Sequence, residues 1–300
     1  MNAISCYRAA MGFGYALRGL RALVLLACML AIGACTPIGR YYAGEDAPAF
    51  VAAGATDPRL GLTRLFGAPL SPVVRNLRAP HGRLYFRDGL EEQLRAELRP
   101  LDIVLIRSRP AATRLLIPSH FTHAMVWLGS LEDLRRAGAL ALPGAAPYRA
   151  ELDKGWTVLE ASRSDVHLSP ISEMIDTNEI VVISMPQLGR AWMRGKYAAL
   201  FARLGRPFDY NFDYRDERRL TCAELVAEVF PELDIPVRYS NGRYAIIPDD
   251  LVRLGLSGTG GLSVRRYIRP IASGGYETAS RADLRSVLTA PSRRRVRPTQ

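Results

Sequence analysis

The chain of 300 residues contains little cysteine and little histidine, with only four residues of each type. Three of the four cysteines lie within the first 35 positions, which excludes a disulfide-stapled scaffold. The histidines are scattered without metal-ligand spacing, so the sequence predicts neither a metal site nor a cofactor. Basic motifs interleaved with aromatic residues are also missing, and we therefore expect no nucleic-acid binding.

Positive charge is concentrated at the two ends of the chain, although the formal net charge of the whole is +11. Residues 263–300 hold nine arginines against two acidic residues, whereas the long central part is nearly neutral. A run of like charge flanked by prolines is typical of a disordered segment. We therefore predict that residues 263–300 form a basic, disordered tail.

The N-terminal 34 residues have the pattern of a secretory signal. Three arginines and no acid precede an apolar run at 22–32, which is too short for a stable transmembrane helix. Residues 32–35 resemble a bacterial lipobox, in which Cys35 is diacylated and becomes the mature N-terminus. Thr36 follows instead of aspartate, which favours the outer membrane. We expect a lipoprotein of the bacterial cell envelope that faces the periplasm; an uncleaved anchor or a plain signal peptide is the alternative.

The rest of the chain reads as one compact unit with flanking segments. The predicted segments are a signal peptide (1–34), a tether and N-terminal extension (35–87), a folded domain (88–262) and the basic tail (263–300). Apolar runs predict strands at 102–107, 123–128, 156–161 and 179–185, and apolar spacing predicts helices at 88–98, 130–137 and 187–204. We therefore predict an α+β fold, with a small antiparallel sheet packed against helices.

Cys222 lies in a sequence that predicts the start of a helix. Thr221 is a favourable N-cap, and Glu224 can bond back to it in a capping box. A thiol in the first helical position meets unpaired backbone N–H groups and the positive end of the macrodipole, which favour the thiolate. With the signal removed and Cys35 lipidated, Cys222 is the one thiol left free, so we predict a nucleophile rather than a small buried residue.

A cysteine nucleophile needs a base within hydrogen-bonding distance and a group that orients the base. His123 opens an apolar strand and is the first candidate for the base. His120 is the alternative, as base or as a substrate-binding residue, and His167 is the third candidate. Glu160 interrupts the apolar strand that follows, where a lone carboxylate needs a partner. If the two strands pair, Glu160 can accept a hydrogen bond from His123 and fix its tautomer.

Five motifs in a fixed order resemble those of the permuted papain-like hydrolases of the YaeF/YiiX type, relatives of NlpC-type cell-wall peptidases and of lecithin:retinol acyltransferase. They are Asp-Ile-Val-Leu at 102–105, Thr-His-Ala-Met-Val at 122–126, Val-Leu-Glu-Ala at 158–161, Arg-Pro-Phe-Asp-Tyr at 206–210 and Thr-Cys-Ala-Glu-Leu-Val at 221–226. Histidine and acid precede cysteine, as in the permuted branch. The resemblance covers roughly residues 98–255. It departs at Leu101, where glycine is common, and at 130–154, which look like an insertion.

The resemblance implies a circularly permuted papain-like fold with three catalytic residues. Cys222 would be the nucleophile, His123 the general base and then acid, and Glu160 the orienting group. The backbone N–H of Cys222 would form part of the oxyanion hole. Phe208 and Tyr210 would line the substrate cleft or serve in packing.

These expectations describe a membrane-anchored cysteine hydrolase that cleaves an amide or ester bond through an acyl-enzyme. The substrate would be a cell-wall peptide or amide, which the location favours, or a lipid acyl group, which acyltransferase and thioesterase relatives favour. The partner surface would be the membrane, reached through lipidated Cys35. The alternatives are a catalytically idle lipoprotein that uses the same cleft only for binding, and a lipid acyltransferase or thioesterase.

Overall fold

The computed structural model describes residues 81–108, 119–240 and 243–289 of the chain. The predicted signal peptide, the predicted lipidation site at Cys35 and most of the predicted tether lie outside these residues. Among the helices in the described ranges, none has the length and apolar character needed to span a bilayer.

Eight α-helices and nine β-strands occur in the described residues. The helices are α1 (Leu90–Glu97), α2 (Leu131–Arg136), α3 (Arg149–Asp153), α4 (Ile171–Ile175), α5 (Arg190–Phe201), α6 (Cys222–Val229), α7 (Pro248–Ser257) and α8 (Arg281–Thr289). The strands are β1 (Ile103–Ile106), β2 (His123–Trp127), β3 (Val158–Ser162), β4 (Asp165–Ser169), β5 (Ile180–Ser184), β6 (Val237–Ser240), β7 (Arg243–Ile246), β8 (Ser263–Pro270) and β9 (Tyr276–Thr278). Short 3-10 segments lie at Ala139–Ala141, Pro143–Tyr148, Pro231–Leu233 and Thr259–Gly261.

Seven of these strands form one antiparallel sheet in the order β4-β3-β2-β1-β5-β8-β9. β6 and β7 form a separate hairpin. Antiparallel neighbours are what the short connection between β3 and β4 allows, since parallel strands need a long crossover. The predicted α+β architecture with an antiparallel sheet is confirmed.

Helices cover both faces of the central strands, which explains why these strands read as continuous apolar runs. On one face, residues such as Ile103 and Ala124 share a core with α5, α6 and α7. On the other face, Val104 and Met125 pack with α1 and α4. Successive side chains alternate between the two cores because a strand has a period of two.

The four predicted strands correspond to β1, β2, β3 and β5, with ends that differ by one or two residues. The predicted helix at 88–98 is present as α1 but begins later, at Leu90; its N-cap is Gly89 in the left-handed region (φ 76°), so Asp88 lies before the helix. Leu101 adopts φ 68° in the turn before β1, a conformation that glycine adopts more readily than leucine. Its side chain is fully buried, which offsets the strain.

The predicted disordered tail is wrong for residues 263–289. β8 pairs with β5 and extends the main sheet, and Tyr267 and Ile268 are buried in the two cores. Leu284 of α8 is also fully buried. The high arginine content of this segment made the strand hard to recognise in the sequence, although its apolar residues are spaced for burial on both faces of the sheet.

The folded domain also starts earlier than the predicted boundary at residue 88. Leu84 is fully buried, and its backbone N–H donates to the carbonyl of Thr177 (2.9 Å). Gly82 donates to Asp176 (2.6 Å), and a Cβ at this glycine would collide with the Thr177 backbone at 2.3 Å. The close approach requires glycine.

Candidate active site

Cys222 is the first residue of α6, as the sequence predicts. The capping box is confirmed: the Thr221 hydroxyl accepts from the Glu224 N–H (3.3 Å), and the Glu224 carboxylate accepts from the Thr221 N–H (2.8 Å). Leu225 and Val226 bury the apolar side of the helix against the sheet. The thiol is free and mostly buried, with 6% of the residue exposed.

His123 and Glu160 lie on adjacent strands whose register brings them together. Glu160 of β3 is opposite Met125 of β2, and His123 lies two residues before Met125, so both side chains leave the same face. His123 Nε2 is 2.6 Å from Glu160 Oε2. The predicted hydrogen bond between base and carboxylate is therefore present.

The His123 side chain also lies close enough to Cys222 for the two side chains to interact electrostatically. Because Nε2 is occupied by Glu160, the nitrogen left for Cys222 is Nδ1. α6 packs against β2 and β3, and this contact brings its first residue to the end of the sheet where His123 begins β2. The structure thus joins the three residues that the sequence selected.

The electrostatics of the pair favour the charged forms of both side chains. Burial by itself lowers the pKa of His123, but the interaction with Cys222 and the hydrogen bond and negative charge of Glu160 outweigh burial and raise this pKa to about 10. Burial raises the pKa of Glu160, but the hydrogen bond and charge of His123, aided by Ser169, outweigh it and lower this pKa to about 2. The arrangement stabilises the imidazolium form of His123 between Cys222 and the Glu160 carboxylate.

His120, the alternative base, is placed elsewhere. Its Nε2 lies 2.8 Å from Glu179 Oε2, and Tyr267 donates to the same oxygen at 2.7 Å. Arg107 also pairs with Glu179. The hydrogen bond from His120 and these neighbours outweigh burial and lower the pKa of Glu179 to about 2. His120 therefore belongs to a cluster of polar side chains around Glu179, which includes Arg107 at the end of β1 and Tyr267 of β8.

Phe208 and Tyr210 lie in the loop before α6. Their rings meet edge to face with centroids 5.0 Å apart, and Phe208 is buried in the core that contains Cys222. The Tyr210 hydroxyl donates to the carbonyl of Arg163 in the β3–β4 turn. Packing thus accounts for Phe208, while Tyr210 ties this loop to the strands that carry the site; their role in a cleft stays a prediction.

Asp209 and Glu224 are buried acids near Cys222 that sequence reasoning did not place in the site. Asp209 is fully buried, and its carboxylate accepts from the N–H groups of Asn211 (2.9 Å) and Asp213 (2.7 Å), which shapes the loop. Burial raises the pKa of Glu224 to about 7, and the charge of Asp209 adds to this effect. The Arg-Pro-Phe-Asp-Tyr motif was the available signal for Asp209.

Over the described ranges, no group of three or more His, Cys, Asp or Glu side chains is arranged to hold a metal ion.

A thiol at a helix N-terminus, an imidazole from an adjacent strand and a carboxylate behind the imidazole together define a papain-like cysteine hydrolase site. Here the strands that carry His123 and Glu160 precede the cysteine helix in the chain, which is a permuted order. Residues 97–251 match the model of the permuted papain-like amidase enzyme family, YaeF/YiiX, C92, and the chain belongs to this family. The permuted papain-like fold inferred from the resemblance is thereby confirmed. Neither the curated proteins nor the solved structures gave a match to this chain.

Proposed function

We propose that this protein is a cysteine hydrolase that cleaves an amide or ester bond through an acyl-enzyme on Cys222. The observation that carries the proposal is the buried chain of contacts from Cys222 through His123 to Glu160. A cysteine that served only in packing would not require an imidazole partner. A histidine that served only in packing would not require contacts with both a thiol and a carboxylate. The family, whose members are amidases, supports the same reaction class.

In this proposal, each of the three residues has a role in the reaction. The Cys222 thiolate attacks the carbonyl carbon of the substrate, and the carbonyl oxygen gains the negative charge. The first N–H groups of α6 have no partner within the helix and can stabilise this oxyanion. The His123 imidazolium then donates its Nδ1 proton to the leaving amine or alkoxide as the C–N or C–O bond breaks.

Release of the acyl group reverses these roles. Neutral His123 takes a proton from a water molecule, and the resulting hydroxide attacks the thioester carbonyl. The C–S bond breaks, a carboxylic acid leaves, and the thiolate–imidazolium pair is restored. Glu160 keeps the imidazole in one orientation and stabilises its charged form throughout.

Two substrate classes fit this reaction, and we favour a cell-wall peptide or amide. The support is the predicted signal and lipobox at Cys35, which would tether the enzyme to the outer membrane of the cell envelope. A lipid acyl ester or amide is the other class, supported by the expected proximity to lipid. Both would form the same thioester at Cys222.

The test is to supply both substrate classes to the full chain solubilised in detergent. Purified cell-wall fragments and mixed phospholipid micelles are incubated separately, and products are identified by mass spectrometry. We expect release from the cell-wall fragments, abolished in Cys222→Ala and retained in His81→Ala, which changes an exposed histidine outside the site. Full turnover by Cys222→Ala would contradict the proposal, and release only from phospholipid would move it to the lipid class.

A further inference from the structure

Strand β4 places a second layer of polar side chains behind the Cys222–His123–Glu160 site. His167 lies directly opposite Glu160 in the β3–β4 register, and Ser169 is two residues further along the same face. Ser169 is buried, with 2% of the residue exposed, and its hydroxyl donates to Glu160 Oε1 at 2.6 Å. None of the five sequence motifs contains either β4 residue.

The two oxygens of Glu160 thus have different partners. Oε2 accepts from His123, and Oε1 accepts from Ser169. A buried carboxylate oxygen without a donor is costly, and a carboxylate held at one oxygen can rotate about its terminal bond. The Ser169 hydroxyl removes both problems, because it satisfies Oε1 and fixes the plane in which Oε2 meets the imidazole.

His167 is the other side chain near Oε1, but its distance excludes the same role. Its Nε2 lies 3.9 Å from Oε1, too far for a hydrogen bond. Its Nδ1 is instead 3.1 Å from the Asp165 carbonyl and 3.2 Å from the Asp165 carboxylate. His167 therefore contributes charge near Glu160, while Ser169 makes the directional contact.

We propose that Ser169 is a positioning residue of the active site, which acts through Glu160 to hold His123 in its charged form and correct orientation beside Cys222. The inference rests on the proposed function, in which the Cys222–His123 pair is the reacting pair. It extends that function by making the edge strand β4 part of the catalytic apparatus.

The test reads the reactivity of Cys222 directly and needs no substrate. Iodoacetamide is added to the full chain in detergent at a series of pH values, and the alkylation rate of the Cys222 peptide is followed by mass spectrometry. Ser169→Ala should slow alkylation at pH 6 about tenfold, because a hydrogen bond to a charged group is lost. Ser286→Ala, which removes an exposed hydroxyl on α8, is the matched control and should react like the wild type.

Two further measurements separate positioning from packing. The acid limb of the alkylation profile should move to higher pH in Ser169→Ala, because the Ser169 hydrogen bond helps to lower the pKa of Glu160. In a Glu160→Ala background, Ser169→Ala should change the rate less than about twofold, since residues that act as a unit are not additive. Ser169→Thr keeps the hydroxyl and should restore most of the rate.

Several outcomes would overturn the proposal. One is a Ser169→Ala variant whose Cys222 is alkylated at the wild-type rate. Another is a tenfold loss of alkylation rate when Ser169→Ala is added to Glu160→Ala. The third is a Ser169→Thr variant that is alkylated more slowly than Ser169→Ala. The Thr variant keeps the test decisive if Ser169→Ala does not fold. Alkylation does not involve cleavage of an amide or ester bond in a substrate. Absence of product from both substrate classes would therefore refute the proposed function, whereas the role of Ser169 would still be decided by the alkylation rates.

Discussion

At the scale of single residues, the central feature is the mutual stabilisation of His123 and Glu160. Each raises the population of the other's charged form, because they lie 2.6 Å apart in a buried site where opposite charges attract strongly. The pKa of His123 is raised to about 10 and that of Glu160 is lowered to about 2. At pH values between about 2 and 10, the imidazole therefore keeps the proton that the leaving group requires.

This coupling predicts how Glu160→Gln alters the pH profile of turnover. Removing the negative charge lowers the pKa of His123, since a neighbouring opposite charge shifts a pKa by about 1–3 units. The alkaline limb of kcat/KM should therefore move to lower pH by at least about one unit. The measurement is the pH dependence of kcat/KM on whichever substrate class gives product.

The control for Glu160→Gln is Glu217→Gln, which changes an exposed glutamate in the loop before α6 and should leave the profile in place. An alkaline limb that does not move in Glu160→Gln would show that Glu160 does not stabilise the His123 imidazolium.

Residue-scale predictions from the sequence succeeded where one residue violated a strong local pattern. Cys222 followed a capping box, and Glu160 interrupted an apolar strand. Ser169 gave no such signal, because serine is ordinary near a strand end and its role depends on the β3–β4 register. His120 could not be separated from His123 by sequence position alone, because its hydrogen-bond partner Glu179 lies 59 residues away.

At the scale of the element, the N-terminus of α6 combines helix capping with an unusual carboxyl group. Glu224 closes the capping box with Oε2, whereas its buried Oε1 has no hydrogen-bond partner. Burial and the nearby charge of Asp209 raise the pKa of Glu224 to about 7. The folded protein therefore holds a proton on this side chain that the unfolded chain releases near pH 4.5.

The resulting prediction concerns stability. Between about pH 4.5 and 7 the folded state binds the extra proton, so the free energy of unfolding should fall as pH rises through this window, by at most about 3 kcal/mol. Glu224→Gln keeps the oxygen that accepts from Thr221 but cannot ionise. It should therefore be more stable than the wild type at pH 8 by about 1–3 kcal/mol and similar at pH 4.5.

Urea unfolding of the wild type and Glu224→Gln at both pH values measures this difference, with Glu217→Gln as the exposed control. A Glu224→Gln variant that is less stable than the wild type at pH 8 would show that the ionised carboxylate is favourable at the helix N-terminus.

Elements with continuous apolar runs could be predicted from the sequence, and elements with mixed composition could not. The central strands β1, β2, β3 and β5 are covered on both faces, and each therefore appears in the sequence as a continuous run of mostly apolar residues. β4 carries polar His167 and Ser169 on the face that serves the site, so its alternation gave a weak signal. β8 lies within an arginine-rich stretch, and its charged side chains pair with other elements, as Arg266 does with Glu97 (2.8 Å).

At the scale of the whole molecule, the sheet extends beyond the region that matches the family. β8 and β9 follow residue 251, yet β8 is hydrogen-bonded along β5. The Tyr267 hydroxyl donates to Glu179 (2.7 Å), and α8 buries Leu284 against the same core. The C-terminal strands therefore complete the fold that supports the site.

Truncation tests this view of the C-terminal region. A chain that ends at Leu262 should lose its cooperative unfolding transition or melt far below the full chain, because β5 loses its partner and Tyr267 no longer covers the core. A chain that ends at Thr289 retains every strand and helix described and should melt like the full chain. Circular dichroism melting of the three proteins makes the comparison, and equal melting of the shorter truncation would contradict it.

The most direct test of the central claim is to trap the acyl-enzyme. The full chain is mixed with the activated ester p-nitrophenyl acetate, quenched in acid within seconds and digested, and the Cys222 peptide is analysed by mass spectrometry. We predict that the acetyl group appears on Cys222, is lost on further incubation at neutral pH, and is strongly reduced in His123→Ala. Equal acetylation of the wild type and His123→Ala, or acetyl groups only at other residues, would contradict a catalytic Cys222–His123 pair.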